Sequence, residues 1–274
     1  MNRGHRLRGS LLWAAAAVVA LLLVLPIVYL ASVSLKSPDD VLSGHFFPAS
    51  LNWQNWPAAF AVAPLRLYIT NSVLASLLSG LVTLAITLPA VFAIYRLEIA
   101  RTWLPQLVLG SFLAPPVVAM LPLFYLLKFI GLINTVPGLA LIYGLMNVPV
   151  ALWLLAPFVA QVPREIEEAA RLDGANTFGT FRHVVLPLVS HGAAATYLIV
   201  VILAYNEFLL ASALTFNEGA RTLTVGISLF QGERLQNFGQ MAAASLAGVI
   251  PIYVLALIAQ RWLVDGLTAG SVKG

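Results

Sequence analysis

Pro163 to Pro187 reads PREIEEAARLDGANTFGTFRHVVLP, and it is a polar island between two strongly apolar runs. It holds Glu165, Glu167, Glu168 and Asp173, four of the eleven acidic residues of a chain that is only 9% charged. A polar stretch of that length between apolar runs must be a loop on one side of a membrane, long enough to fold into short helices of its own. Pro163 suits a first helical turn, and the acids that follow favour a helix N-terminus. Gly174 after Asp173 is a natural C-cap, because only glycine enters the left-handed region at little cost. Asn176 or Thr177 then caps a second short helix. Its Phe178, Phe181 and Val185 fall at three- and four-residue spacing on one face. Pro187 marks the turn into the next apolar run.

Outward from this loop, composition excludes an ordinary soluble domain. The 274 residues are 60% hydrophobic with a mean hydropathy of +0.91, whereas soluble domains run at roughly 45–50% apolar. Length then limits the number of spans, each needing about 20 apolar residues. The formal charge of +4 does not point to nucleic acid, since the basic residues are scattered through loops. Cysteine is absent, so disulfides, thiolate nucleophiles and cysteine metal sites are excluded.

Taken in order, the chain is expected to be all-α with six transmembrane helices at about 11–33, 68–95, 103–127, 135–160, 188–216 and 240–264, forming one transmembrane domain over 1–274 with a loop at 161–187. The first apolar run follows Arg3, Arg6 and Arg8 and is longer than a signal-peptide core, so it is read as a retained span. Trp53, Trp56 and Tyr68 are the amphipathic aromatic type that settles at a membrane interface. Prolines recur inside the spans, clustered at Pro115-Pro116 and Pro122 in the third, and the carbonyls they free must find partners inside the bundle or along a wet path.

Basic residues set the orientation. Arg3, Arg6, Arg8, Arg96, Arg101, Arg164, Arg171, Arg182, Arg261 and Lys273 fall on one side; Lys36, Arg66, Lys128, Arg221 and Arg234 fall on the other. The positive-inside rule puts both termini and the 161–187 loop in the cytoplasm.

Chemistry-bearing motifs are few. There is no phosphate loop, no His-Glu-x-x-His and no Gly-x-Ser-x-Gly. His5, His45, His183 and His191 are isolated. No catalytic residue, metal site or cofactor is expected. The one acid well inside an apolar run is Glu207, preceded by Asn206. A lone carboxylate at that depth costs several kcal/mol unless it pairs, hydrates or protonates. It is therefore either a polar group on a translocation path or a buried glutamate bonded to a neighbouring helix.

Glu168-Ala169-Ala170, Gly174 after three intervening residues, and then Leu186-Pro187 resemble the EAA loop of permease subunits in bacterial ATP-binding-cassette importers. Asn206-Glu207-Phe208-Leu209-Leu210 and the tail from Asp265 to Gly274 resemble the carbohydrate-uptake branch, with the subunit type of the second maltose permease. The resemblance implies a type I importer permease fold in the bacterial plasma membrane. It implies a second permease as heterodimer partner, two ATPase subunits that hydrolyse the ATP, and an extracytoplasmic solute-binding protein. It implies that Glu168, Ala169, Ala170, Asp173, Gly174, Leu186 and Pro187 meet the ATPase, and that the tail residues Thr268, Ala269, Gly270, Lys273 and Gly274 contact it too. The substrate class implied is an oligosaccharide, an amino sugar or a polyol phosphate such as glycerol 3-phosphate. The rival class is a self-sufficient secondary transporter using Glu207 for ion coupling, against which count the lack of an inverted repeat and of a second intramembrane charge.

Overall fold

The computed structural model describes the backbone of residues 3–230 and 237–269, and side chains over 11–230, 237–258 and 260. Among the described residues every regular element is a helix. In chain order these are α1 (Arg3–Ser34), α2 (Pro38–Val41), α3 (Asn55–Val62), α4 (Leu65–Tyr95), α5 (Leu104–Phe112), α6 (Pro116–Phe129), α7 (Val136–Met146) and α8 (Val148–Ala160). Then follow α9 (Arg164–Leu172), α10 (Thr177–Thr180), a π turn (Phe181–Val185), α11 (Leu186–Leu188), α12 (Ser190–Tyr205), α13 (Leu209–Leu214), α14 (Leu223–Ser228) and α15 (Phe238–Ala269). Three helices are long and apolar enough to cross a membrane, within α1, α4 and α15, and the number rises to six if each of three bent pairs is one span.

The bends have identifiable causes. Between α5 and α6 the axis turns by 99° at Leu113–Pro115, where Pro115-Pro116 removes two backbone donors in succession. Between α7 and α8 it turns by 52° at Asn147, just before Pro149. The third bend, 75°, falls at Val189 after Pro187, at the junction of the polar loop with α12. Sequence reading runs the first two of these stretches as single spans and places a turn at Pro187, next to the third bend; Pro115-Pro116 and Pro149 stand beside the first two bends, though the angles themselves are not written in the sequence.

The chain divides into two compact units. The first comprises residues 1–65 and 226–249. Here Asn55, the first residue of α3, ties that helix to the end of α1: its amide nitrogen donates to the carbonyls of Ser34 (3.0 Å) and Lys36 (2.8 Å), at a terminus that leaves carbonyls without helical partners. Gly239 fits against the same amide, and a Cβ there would lie 2.4 Å from Asn55 Nδ2. Lys36 is buried, donates to the His45 carbonyl and stands 5.8 Å from the Tyr29 ring centroid, a cation–π arrangement. Asp40 accepts the Ala49 N–H at 2.8 Å, and that bond holds its carboxyl below the usual range.

The second unit comprises residues 66–225 and 250–274. Its axis is α4, which carries a buried stripe of small polar residues, Ser72, Ser76, Ser79, Thr83 and Thr87, at three- and four-residue spacing. Their hydroxyls mostly bond back to carbonyls of their own helix, so the stripe costs little and lets neighbours approach closely. Thr83 also donates to the Gly144 carbonyl of α7 at 2.9 Å. Two apolar clusters flank the stripe. One gathers Leu127, Leu139, Ile142, Tyr143, Leu210 and Leu214; the other gathers Val91, Phe92, Leu155, Val159, Val185 and Val189 and holds the polar loop.

The α4–α7 crossing gives a stability test. A Cβ on Gly144 would meet the Val82 side chain at 2.6 Å and the Ser79 carbonyl at 3.1 Å, whereas Gly110 has nothing within 4 Å. Gly144→Ala should cost about 1–3 kcal/mol through overpacking, while Gly110→Ala should melt at or above the parent because alanine is the better helix former. Thermal melting of the detergent-solubilised protein measures both, and equal melting temperatures would mean that α4 and α7 do not cross this closely.

Candidate functional site

The polar loop builds a rigid turn from its own sequence. Asp173 ends α9 and Gly174 follows at φ +90°. The Ala175 N–H donates to the Ala170 carbonyl at 2.9 Å and the Gly174 N–H to the Arg171 carbonyl at 3.0 Å, the paired bonds of a Schellman motif. Asn176 then accepts the Gly179 N–H at 2.7 Å and so caps α10. From Phe181 to Val185 the helix widens into a π turn. In a plain α-helix Phe178, Phe181 and Val185 would share a face. The wider turn swings Val185 to the far side of Phe181, so Phe181 and Val185 pack inward and Phe178 stays 66% exposed. Phe181 meets Phe92 of α4 at a centroid distance of 5.3 Å.

Beneath α9 lies an interaction with no local signature in sequence. Glu167 and Arg96 form an ion pair whose side chains are only 6% and 5% exposed. Glu98, held at φ 59°, accepts from Arg164 at 3.0 Å and from Arg101 at 3.2 Å. The Arg164 bond and the two nearby positive charges keep its carboxyl below the usual range. The connector after α4 is thus bonded to both ends of the first turn of α9. Charges on the underside are paired, and the outer side is left for other contacts.

That outer side carries most of the residues expected there. Glu168, Ala169, Asp173 and Gly174 are exposed and Ala170 is half-buried. Leu186 is half-buried and Pro187 exposed, at the far end of the loop. Leu172 (89% exposed), Phe178 and Ile166 join them, and the sequence reading did not single out Leu172 or Ile166. Of the expected tail contacts, Thr268 and Ala269 fall within α15, while Gly270, Lys273 and Gly274 lie outside the described residues.

Glu207 occupies the break between α12 and α13. Its Oε1 accepts the Leu210 N–H at 2.9 Å and its Oε2 accepts the Ala211 N–H at 3.1 Å, so it caps α13. Its backbone carbonyl accepts the Thr224 hydroxyl at 2.8 Å. Asn206 closes α12, its amide donating to the Ile202 carbonyl at 2.8 Å. The carboxylate that looked isolated in sequence has backbone partners, which offset much of its desolvation cost. Glu207 also lines a cavity of about 560 Å³, together with Pro115, Pro116, Tyr143 and Asn147. Among the described residues no three His, Asp or Glu side chains converge as a metal site.

The buried pair yields a prediction. Glu167→Ala leaves Arg96 buried without its partner, at a cost of about 3–5 kcal/mol. Glu165→Ala, on an exposed side chain, should change stability by less than about 0.5 kcal/mol. Hydrogen exchange over residues 164–172 should accelerate strongly in the first variant only, and the double change Arg96→Leu with Glu167→Leu should restore much of the protection. Equal exchange in both single variants would contradict the anchoring role.

Comparison with known proteins supplies the frame for this geometry. Residues 55–267 match the family described as the binding-protein-dependent transport system inner membrane component. The chain is 32% identical over 276 residues to the trehalose/maltose transport system permease protein MalG of Thermococcus litoralis, covering 99% of each. It is 33% identical over 263 residues to the sulfoquinovosyl glycerol transport system permease protein SmoH of Agrobacterium fabrum, covering 95% of this chain and 92% of that one. The trehalose transport system permease protein SugB of Mycobacterium tuberculosis is 34% identical over 257 residues, covering 92% and 93%. A solved bacterial ABC transporter involved in import of the acidic polysaccharide alginate shares the fold, with a TM-score of 0.76 at 20% identity over 95% of this chain and 98% of that chain. With apolar helices able to cross a membrane and a family match over most of its length, the chain belongs to the binding-protein-dependent transport system inner membrane components and is a multi-pass membrane permease subunit of the ATP-binding-cassette type.

Proposed function

We infer that this chain is one of two permeases in an ATP-driven importer of a sugar or related solute. The observation that carries the reading is the outward face of α9: exposed Glu168, Ala169, Leu172 and Asp173 stand on a helix fixed from below by the buried Arg96–Glu167 pair. A helix anchored on one side and left with small, acidic and apolar groups on the other suits a groove on a partner ATPase. Ala169 and Ala170 permit close approach, and Glu168 can accept charge-assisted bonds. Through this contact, closure of two ATPase subunits would move the loop as a unit and tilt the helices packed on it. The sugar class is supported by the relatives, whose names refer to trehalose, maltose and sulfoquinovosyl glycerol.

On this reading the chain crosses the bacterial plasma membrane six times with both termini and the α9 loop in the cytoplasm, and an extracytoplasmic receptor delivers the solute. The family match weighs against the rival secondary transporter, since that family is described as binding-protein-dependent.

Two experiments test this. In the cysteine-free parent, Ser43→Cys should react with an impermeant maleimide in intact cells, while Arg182→Cys should react only after permeabilisation. Labelling of Arg182→Cys in intact cells would reverse the orientation. In proteoliposomes holding the complete importer and its receptor, carbohydrate uptake should require ATP and survive collapse of proton and sodium gradients. Uptake that runs on a gradient without ATP would establish the secondary-transporter class instead.

A further inference from the structure

Three helix interruptions meet at the 560 Å³ cavity: Ala114-Pro115 between α5 and α6, Asn147 between α7 and α8, and Glu207 between α12 and α13. In hydrocarbon, non-helical backbone is tolerated only where it is buried in protein or lines a wet cavity. Discontinuous helices around one space are how secondary transporters surround a solute, and the same physical need applies to any solute path through hydrocarbon. Volume is consistent with this, since small-molecule sites run at roughly 300–1,000 Å³.

The lining is chemically one-sided. Its walls are mostly apolar, from Phe112, Pro116, Val118 and Leu203, and its polar groups are Ser111, Tyr143, Asn147 and Glu207. None of the lining residues is Lys, Arg or His. Tyr143 is buried and its hydroxyl has no hydrogen-bond partner among the described residues, although the Glu207 carboxylate is close enough to act on it. Asn147 spends an amide N–H on the Tyr143 carbonyl at 2.8 Å. The Glu207 carboxylate takes two backbone donors, Leu210 and Ala211, and a carboxylate has about four acceptor positions.

We propose that this cavity is a solute site within this subunit, and that it selects uncharged sugars over anionic ones. Sugar hydroxyls donate to the remaining Glu207 lone pairs and exchange hydrogen bonds with the Tyr143 hydroxyl, while the C–H faces of the ring lie on the proline and phenylalanine walls. A phosphate, sulfonate or uronate entering the same space meets the Glu207 carboxylate with no basic residue of this chain in the lining to offset it. The proposal rests on the sugar-importer reading and narrows it: of the substrate classes considered, neutral oligosaccharides fit and glycerol 3-phosphate does not.

The test uses the assembled permease–ATPase complex, solubilised and free of receptor, so that the receptor's own preference plays no part. Probes are trehalose, maltose and melibiose as neutral disaccharides, and maltobionate as an anionic one of matched size. At least one neutral probe should bind saturably, with maltobionate at least tenfold weaker. Tyr143→Phe removes only the hydroxyl and should weaken the neutral probe by roughly three- to tenfold. Glu207→Gln keeps an acceptor for α13 and should narrow the gap between maltose and maltobionate severalfold. The proposal is overturned if no neutral probe binds, if maltobionate matches maltose, or if Tyr143→Phe binds as the parent does. Should Glu207→Gln fail to assemble, the maltose–maltobionate comparison on the unmodified complex and the Tyr143→Phe titration still decide. Failure of the wider reading shows separately: with receptor and ATP restored, the unmodified complex would import no carbohydrate at all.

Discussion

Inside hydrocarbon a backbone N–H or C=O has no water to turn to, and each one left unpaired costs several kcal/mol. The helix interruptions of this protein are shaped by that constraint. At the end of α12, Asn206 takes up the Ile202 carbonyl; at the start of α13, Glu207 takes up the Leu210 and Ala211 N–H groups; at the end of α7, Asn147 takes up the Tyr143 carbonyl. Of these, Glu207 pairs donors that the start of α13 leaves free, while Asn206 and Asn147 add a second bond to carbonyls that already accept a backbone N–H; each places a polar group beside its break. Glu207, Asn147 and Tyr143 line one cavity, so the residue that caps α13 also supplies part of the polarity of that space.

At the other end of the second unit the same logic runs on side chains. Arg96 and Glu167 are both nearly inaccessible to solvent, and neither is tolerable there alone. Such a pair adds little net stability against an apolar substitute, but losing one member is expensive, which makes it a device for register rather than strength. It fixes where α9 sits on the connector after α4. Val185, Val189 and the Phe181–Phe92 contact fix the far end of the loop on the same apolar cluster. On the proposed function, holding both ends would let a push on the exposed face of α9 pass to α4 and α12 instead of being absorbed by loop motion.

What could be read from the sequence follows from how local each interaction is. The Schellman turn at Gly174 and the cap at Asn176 are made by residues within five positions of one another, and both stand where the spacing puts them. The bend at Pro115-Pro116 is written in the missing N–H groups of those two residues. The Arg96–Glu167 pair joins different loops, and nothing in either neighbourhood marks its partner. The π turn ends just ahead of Pro187, which has no N–H to give the His183 carbonyl, so a local signal for irregularity is present, but the exposure of Phe178 is not written in it. The serine and threonine stripe of α4 is periodic in the sequence, yet the surrounding leucines and valines make the helix look uniformly apolar. Glu207 was visible as an exception, and its caps only became apparent once the chain was seen to break immediately after it.

We propose that α9, held by the buried pair and closed by the turn at Gly174, transmits ATPase motion to the membrane helices. Gly174 stands at φ +90° with open space around its Cα, so a side chain there strains only the turn, by about 1 kcal/mol. The most direct measurement is receptor-stimulated ATP hydrolysis by the reconstituted importer carrying Gly174→Asp, read beside the amount of permease in the membrane and of ATPase co-purified with it. The account predicts near-parental permease levels with stimulation lost or ATPase binding weakened. Parental stimulation with the ATPase fully bound would contradict it.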